Sequence, residues 1–367
     1  MIRAVLVDDE PPARVRMRQL LEAAGDVEVV GEAGSAVEAF DVIRTSRPDV
    51  LFLDVEMPEV RGTALAASLP HPRPFIVFAT AYEHYALEAI SVEATDYLLK
   101  PVSRAKLAAT LDRVRARLTT QMVQRDIADA TLVQAHLWPG SLPRITGFDC
   151  AAASLAARGV GGDFYDAFAI DDSRWALLLG DASGKGIAAG LVASAVQARV
   201  NTAARLAHLE PEALAAAVDR DLYQTTDGAR YATAIYGVLD AATSQLTLVN
   251  AGHPAALLLS KPGYVRTLTA TGPALGLIEA AEFGTHSLKI NPSNVFVAYT
   301  DGVSEAGNDA DEEFGEQRLL DVIESARHLG AAEICTTVLN SVREHRGSRQ
   351  DQDDVTVMVV KNTEVLR

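Results

Sequence analysis

Over its first hundred residues the chain alternates short apolar runs with amphipathic stretches, and each apolar run ends abruptly in polar residues. Ile2–Val7 stops at Asp8-Asp9-Glu10, where Pro11-Pro12 suits the first turn of a helix reaching to about Ala24, with Gly25 as its stop. Residues 27–31, 49–53, 75–79 and 96–99 read as further strands, and 36–44, 64–69 and 84–91 as helices between them. Five strands alternating with helices predict an α/β domain built on a doubly wound parallel sheet. Sheets of this kind bind ligands beyond the carboxyl ends of their strands.

Those carboxyl ends carry Asp8 and Asp9 after the first strand, Asp54 after the third, Thr80 after the fourth and Lys100 after the fifth. Any one of these aspartates could be a helix cap. Three carboxylates converging on one rim repel one another unless a divalent cation sits among them, and a lysine and a hydroxyl beside them suit an anionic phosphoryl group. The motifs Val7-Asp8-Asp9-Glu10-Pro11, Leu53-Asp54-Val55-Glu56-Met57-Pro58, Ala79-Thr80-Ala81-Tyr82 and Asp96-Tyr97-Leu98-Leu99-Lys100-Pro101 resemble the receiver domains of two-component response regulators, in particular receivers that precede LytTR-type outputs. The resemblance spans residues 2 to about 118 with no departure from the pattern. It implies that Asp54 accepts a phosphoryl group from a cognate histidine kinase. It further implies that Asp8, Asp9 and the Glu56 carbonyl hold Mg²⁺, that Thr80 and Lys100 contact the phosphoryl oxygens, and that Tyr97 is the aromatic that switches rotamer.

From about Ser103 a helical pattern runs to Leu137, where Trp138-Pro139-Gly140 breaks it. Its length corresponds to roughly 50 Å, too long to pack wholly on the first domain. Leu107, Leu111, Val114, Leu118, Gln121, Arg125, Ala128, Leu132 and Ala135 recur at four-three spacing, a heptad seam diluted by its two polar members. Two readings fit: a coiled coil that makes the chain a homodimer, and an amphipathic helix lying on its own second domain.

Beyond Ile145 strand-like segments follow one another directly, at 148–155, 164–170, 175–179, 232–239, 245–250 and 255–260, with later strands at 295–300 and 355–360. Helical patterns cover 187–207, 211–225, 317–327 and 331–346, so this half is α+β, an antiparallel sandwich flanked by helices. Its central stretch, Gly180-Asp181-Ala182-Ser183-Gly184-Lys185-Gly186, at first suggests a P-loop. A P-loop needs four residues before its Gly-Lys pair and then Ser or Thr; here three intervene and Gly186 follows the lysine, so the carboxylate Asp181 is the informative residue.

Further carboxylates lie at strand ends: Asp163, Asp301 and the pair Asp353-Asp354. Gly180 and Gly302 let backbone come close to Asp181 and Asp301. Oxygen-only donors without paired His or Cys point to Mg²⁺ or Mn²⁺, and separated carboxylates meeting at one place suit two such ions, which can activate a water and clamp a phosphate. The motifs Val160-Gly161-Gly162-Asp163-Phe164-Tyr165-Asp166, Gly180 to Gly186, Asn250-Ala251-Gly252-His253-Pro254, Gly272-Pro273-Ala274-Leu275-Gly276, Thr300-Asp301-Gly302 and Asp353-Asp354-Val355-Thr356 resemble the PPM (type-2C) serine/threonine protein phosphatases of the bacterial SpoIIE branch. The resemblance covers about residues 132–361. It implies that Asp181 bridges two Mn²⁺ or Mg²⁺ ions and that the Ala182 carbonyl ligates one. Asp301 and Asp353 complete the other's ligands, Asp163 acts on the cluster directly or through water, and Asp354 is the lesser candidate of its pair. The implied substrate is a phosphoprotein, a STAS-type anti-sigma-factor antagonist. Ala182 stands where glycine is common, and no arginine matches the phosphate-binding one of eukaryotic relatives. His253 reads as a structural histidine or a catalytic acid, and Lys185 as a phosphate-steering or a solvated lysine.

The expected domains are a receiver at 1–118, a helical connector at 103–138 and a phosphatase at 139–367. Formal net charge is −16, divided as −7 over 1–104, +2 over 105–140 and −11 over 141–367, which speaks against nucleic-acid binding. The two cysteines, Cys150 and Cys335, have no metal-ligand spacing. With no leader pattern and no membrane-length apolar run, the expectation is a cytoplasmic protein without a membrane partner. The rival expectation is a phosphatase-fold adaptor that binds a partner without catalysis.

Overall fold

The computed structural model describes residues 1–82, 92–155, 159–226, 228–349 and 353–363. The chain forms two compact units, Met1–Arg125 and Asp126–Arg367.

In the first unit, strands β1 (Ile2–Val7), β2 (Val27–Ala33), β3 (Val50–Leu53), β4 (Phe75–Thr80) and β5 (Asp96–Leu99) form one parallel sheet in the order β2-β1-β3-β4-β5. Helices α1 (Pro11–Glu22), α2 (Ala36–Ser46) and α3 (Gly62–Ser68) join the first four strands. The expected helix at 84–91 lies outside the described residues. Pro11 opens α1 where no intrahelical donor is required, and the Ser35 hydroxyl caps α2 by accepting from the Glu38 N–H. Because successive strand residues point to opposite faces, the apolar runs serve two cores. Val5, Val7, Leu51, Leu53, Ile76 and Phe78 pack with α2 and α3, whereas Ala4, Leu6, Phe52, Val77 and Leu98 pack with Met17, Leu20 and Leu21 of α1. Both faces are covered, as in a doubly wound sheet.

Helix α4 (Arg104–Leu137) is a single element, and its expected heptad seam is divided. Leu107, Leu111 and Val114 are buried in the α1 face of the first unit's core, so they are unavailable to a partner helix. Farther along, Leu132 is 60% exposed, together with Met122, Val123 and Val133, while Gln134 is buried.

The second unit is a sandwich of two five-stranded sheets, β13-β10-β9-β8-β7 and β12-β11-β14-β15-β6. The first contains β7 (Asp163–Ala169), β8 (Arg174–Ala182), β9 (Ala232–Asp240), β10 (Gln245–Ala251) and β13 (His286–Lys289). The second contains β6 (Phe148–Leu155), β11 (Ala256–Lys261), β12 (Tyr264–Leu268), β14 (Val295–Tyr299) and β15 (Val355–Asn362). Leu177, Leu179, Ile235 and Leu248 meet Leu258, Phe296, Ala298 and Met358 between the sheets. On the outer face of one sheet lie α5 (Ile187–Ala207) and α6 (Pro211–Thr226); on the other lie α8 (Gly315–Ala326) and α9 (Ala331–Arg346). Strand β8 has both faces covered, which explains its unbroken apolar run. Short β12 and β13 and the four-residue helix α7 (Asp301–Ser304) have no expectation from the sequence, being too short and too polar to leave a periodic pattern. Among the described residues, no helix is long and apolar enough to cross a membrane.

Both tryptophans, Trp138 and Trp175, belong to the second unit, so their fluorescence reports its unfolding. Phe296→Ala, which empties the space between the sheets, is expected to lower that unit's stability by about 3–5 kcal/mol, measured by denaturant titration of the full chain.

Candidate functional site

The carboxyl rim of the parallel sheet gathers the residues expected there. Asp54 follows β3 and stays tied to the sheet through its N–H bond to the Val7 carbonyl (2.8 Å). Ligand oxygens of Asp8, Asp9 and Asp54 lie within 4.8 Å of one another. The Lys100 ammonium donates to Asp54 Oδ2 at 2.6 Å and to Asp8 Oδ2 at 2.7 Å. Burial raises the Asp54 carboxyl above its ordinary range, with Lys100 opposing and Asp8 reinforcing the shift. Lys100 is itself desolvated, yet its bonds to Asp54 and Asp8 hold it above the usual lysine value. The Thr80 hydroxyl, buried on the same rim, has no hydrogen-bond partner among the described residues. An unsatisfied donor beside a carboxylate cluster suits an incoming phosphoryl oxygen. The Tyr97 hydroxyl donates to the Tyr82 carbonyl, and the Glu56 N–H reaches Asp54 Oδ1 at 3.3 Å.

In the second unit Asp181 stands on β8 itself, one residue before the strand's end, and pairs in register with Asp163, the first residue of β7. The glycine-rich turn itself begins only at Ser183. Gly161 and Gly162 precede Asp163 and are packed against acidic groups from both sides. A Cβ on Gly161 would lie 2.2 Å from Asp354 Oδ2; one on Gly162 would lie 2.7 Å from Asp181 Oδ1 and 2.8 Å from the Ala182 carbonyl oxygen. A carboxylate oxygen and a backbone carbonyl thus converge beside Gly162, the all-oxygen donor pair that a hard divalent cation takes. The Gly162 N–H donates to Asp354 Oδ2 (2.9 Å), so the buried Asp354 carboxylate fixes the glycine loop.

Asp301 opens α7 directly after β14, and Asp353 leads into β15. Burial first, then the charges of Asp301, Asp353 and Asp354, push the Asp181 carboxyl up to about 7. Burial and Asp353 likewise raise Asp301. This mutual repulsion is what bound cations relieve, and the residues present therefore fit Mg²⁺ or Mn²⁺. The spacing is nevertheless wider than on the first unit's rim: among the described residues no three of these carboxylates approach within 4.8 Å. Asp353 Oδ2 takes the exposed Lys185 ammonium at 3.1 Å. Asp163 faces inward, its Oδ2 accepting from Thr300 Oγ1 (2.8 Å) and Thr356 Oγ1 (2.5 Å), and burial raises its carboxyl well above the usual range.

Two contributors have no expectation from the sequence. Gln134 of α4 makes a reciprocal amide pair with Gly161, donating to its carbonyl (2.8 Å) and accepting its N–H (3.0 Å). A polar residue beside the diluted seam is the only signal of this in the sequence, and burial is what reveals its role. Arg346 is the other, taken up below. His253 is 4% exposed, with Nδ1 sharing a 2.8 Å hydrogen bond with Thr233 Oγ1 and its N–H bonded to Asn250 Oδ1. Burial lowers its ring from 6.5 to about 3, with the Tyr299 backbone opposing, a shift toward the neutral form.

The family model described as Stage II sporulation protein E (SpoIIE) matches residues 171–363, and that of the response regulator receiver domain matches 4–112. Transcriptional regulatory protein BtsR of Salmonella typhi is 47% identical over 124 residues, 34% of this chain and 52% of that protein. The chain spans about half the length of the curated relatives it matches. The SiaA-PP2C domain of Pseudomonas aeruginosa superposes with a TM-score of 0.58 at 19% identity, over 66% of this chain and 98% of that one, a likeness of fold. The RsbU and RsbW domains of Rv1364c from Mycobacterium tuberculosis give 0.54 at 27% identity, over 61% and 62%.

A histidine neutral when folded and protonated when unfolded stabilises the fold above the unfolded pKa, and that stability is lost as pH falls from 6.5 toward about 3. Melting temperatures of the full chain are expected to fall across this window, and His253→Gln to flatten that part of the profile.

Proposed function

The chain belongs to the Stage II sporulation protein E family, with a response-regulator receiver ahead of the family domain, and on that premise we propose that it hydrolyses phosphoserine or phosphothreonine in a protein under receiver control. The observation that carries this reading is the convergence of Asp181 Oδ1 and the Ala182 carbonyl beside Gly162, within a cluster where Asp301 and Asp353 raise the Asp181 carboxyl. No expected carboxylate is missing, as it would be in an adaptor that had given up catalysis. Asp181, Ala182, Asp301 and Asp353 would hold two Mn²⁺ or Mg²⁺ ions, which when bound supply charge neutralisation for the phosphoryl group and a nucleophile at neutral pH. Asp163 holds the β7 end of the cluster through Thr300 and Thr356, and Asp354 holds the glycine loop. Lys185, exposed on the turn, brings a positive charge toward an incoming phosphate.

On the receiver, Asp54 accepts phosphoryl from a histidine kinase; Asp8, Asp9 and the Glu56 carbonyl would hold Mg²⁺, which when bound would neutralise charge at the phosphoryl group. Lys100 and the unsatisfied Thr80 hydroxyl meet the new oxygens, and Tyr97 responds through its hydroxyl. The output route is α4, whose Gln134 grips Gly161, one residue from Gly162. The exposed Met122, Val123, Leu132 and Val133 on the same helix suit pairing with a second copy of the chain. The substrate is a STAS-type anti-sigma-factor antagonist in a partner-switching pathway.

Asp181→Asn is expected to remove Mn²⁺-dependent phosphate release from a phosphoserine-bearing STAS protein, by more than the roughly 10- to 100-fold typical of outer-shell changes. Retained release would overturn the reading. Gln134→Ala is expected to shrink the difference in phosphatase rate between the beryllofluoride-treated and untreated receiver, measured in parallel with Asp54→Asn as the untreated reference.

A further inference from the structure

Asp301 and Asp353 reach the centre on separate pieces of backbone. Strands β14 and β15 hold these together as far as the Tyr299–Val357 pair and the Thr300 N–H bond to the Thr356 carbonyl (3.0 Å). Beyond that point one segment turns into α7, and the other carries Asp353 and Asp354. Arg346, in the last turn of α9, spans the two: its Nη2 donates to the Gly302 carbonyl at 3.2 Å and to the Asp353 carbonyl at 3.0 Å. Gly302 directly follows Asp301, and a Cβ there would lie 1.9 Å from the Asp354 carbonyl oxygen, so the segments are already in contact where Arg346 joins them.

Two observations separate this arginine from an ordinary helix-end cation. Its Nε is buried without a hydrogen-bond partner among the described residues, so the guanidinium is held in place at a desolvation cost. Its helix is also anchored, with Ile334, Cys335, Val338 and Val342 packed into the core against β6 and β15. By contrast Arg343, exposed on the same helix, bonds to the Asn340 side chain (3.0 Å).

We infer that Arg346 is a positioning residue of the metal centre, fixing the separation of Asp301 and Asp353 by bridging their backbone segments. It touches neither substrate nor metal. The inference rests on the phosphatase reading, since only a centre that holds cations makes that separation matter.

The test is Mn²⁺ binding to the full chain, followed by the loss of the free-ion electron paramagnetic resonance signal, with phosphatase rates measured over the same Mn²⁺ range. Arg346→Gln is expected to weaken one Mn²⁺ equivalent by about 10- to 100-fold and to shift the Mn²⁺ dependence of activity equally, with kcat largely recovered at saturation. Arg346→Lys, which keeps the charge, is expected to fall between, and Arg343→Gln to match the parent. Circular dichroism fixes a temperature at which each metal-free variant is folded. Unchanged Mn²⁺ affinity in folded Arg346→Gln, or an equal loss in Arg343→Gln, overturns the inference. Should Arg346→Gln not fold, parental Mn²⁺ affinity in Arg346→Lys overturns it and a weakened equivalent supports it. A parent chain that binds no Mn²⁺ beyond the equivalent lost on Asp8→Asn in the receiver overturns the phosphatase reading instead.

Discussion

Carboxylates crowded into a partly dry pocket repel one another, and the second unit is organised around tolerating that repulsion. Asp163, Asp181, Asp301 and Asp353 come from four different places in the chain, on β7, β8, α7 and the approach to β15. Holding them close requires backbone to approach backbone with no side chain between, which is why Gly161, Gly162 and Gly302 sit where a single Cβ would strike a carboxylate or a carbonyl. The sandwich supplies the rigidity. Asp163 and Asp181 are register partners in one sheet, and β14 and β15, which lead to Asp301 and from Asp353, are neighbours in the other.

The two centres meet like-charge repulsion differently. On the parallel sheet Lys100 lies between Asp8 and Asp54, a neutralising group built into the fold and close enough to bond both. In the sandwich the cation paired with a carboxylate of the set among the described residues, Lys185, is exposed and engages Asp353. Asp181 accordingly carries a large upward shift, toward about 7. The first arrangement suits a carboxylate that must accept a phosphoryl group; the second leaves a demand that divalent ions would meet.

Helix α4 divides its side chains by chemistry. Its first turns spend leucine and valine on the sheet of Met1–Arg125, whereas near its end the buried side chain is the amide of Gln134. A bidentate amide pair to a glycine backbone is directional where apolar packing is not, so a rotation or slide of the helix would be felt at Gly161. Only the later part of the heptad spacing, Leu132 among it, is left outside by the fold.

Period and polarity in the sequence are enough to identify the parallel sheet and its rim, because most strand ends there are marked by an abrupt change from apolar to polar residues. The acidic motifs of the second half are equally legible, since oxygen donors next to glycine stand out in strand-rich sequence. The partner of each polar group is not legible in the same way. That Asp354 grips Gly162, that Thr300 and Thr356 both serve Asp163, that Gln134 holds Gly161 and that Arg346 reaches Gly302 are contacts between residues far apart in the chain. Hydrogen bonds depend on distances of a few tenths of an ångström. Only the packing of two sheets and their helices sets those distances, whereas residue type and spacing are enough to specify which face of a strand is buried and where it ends.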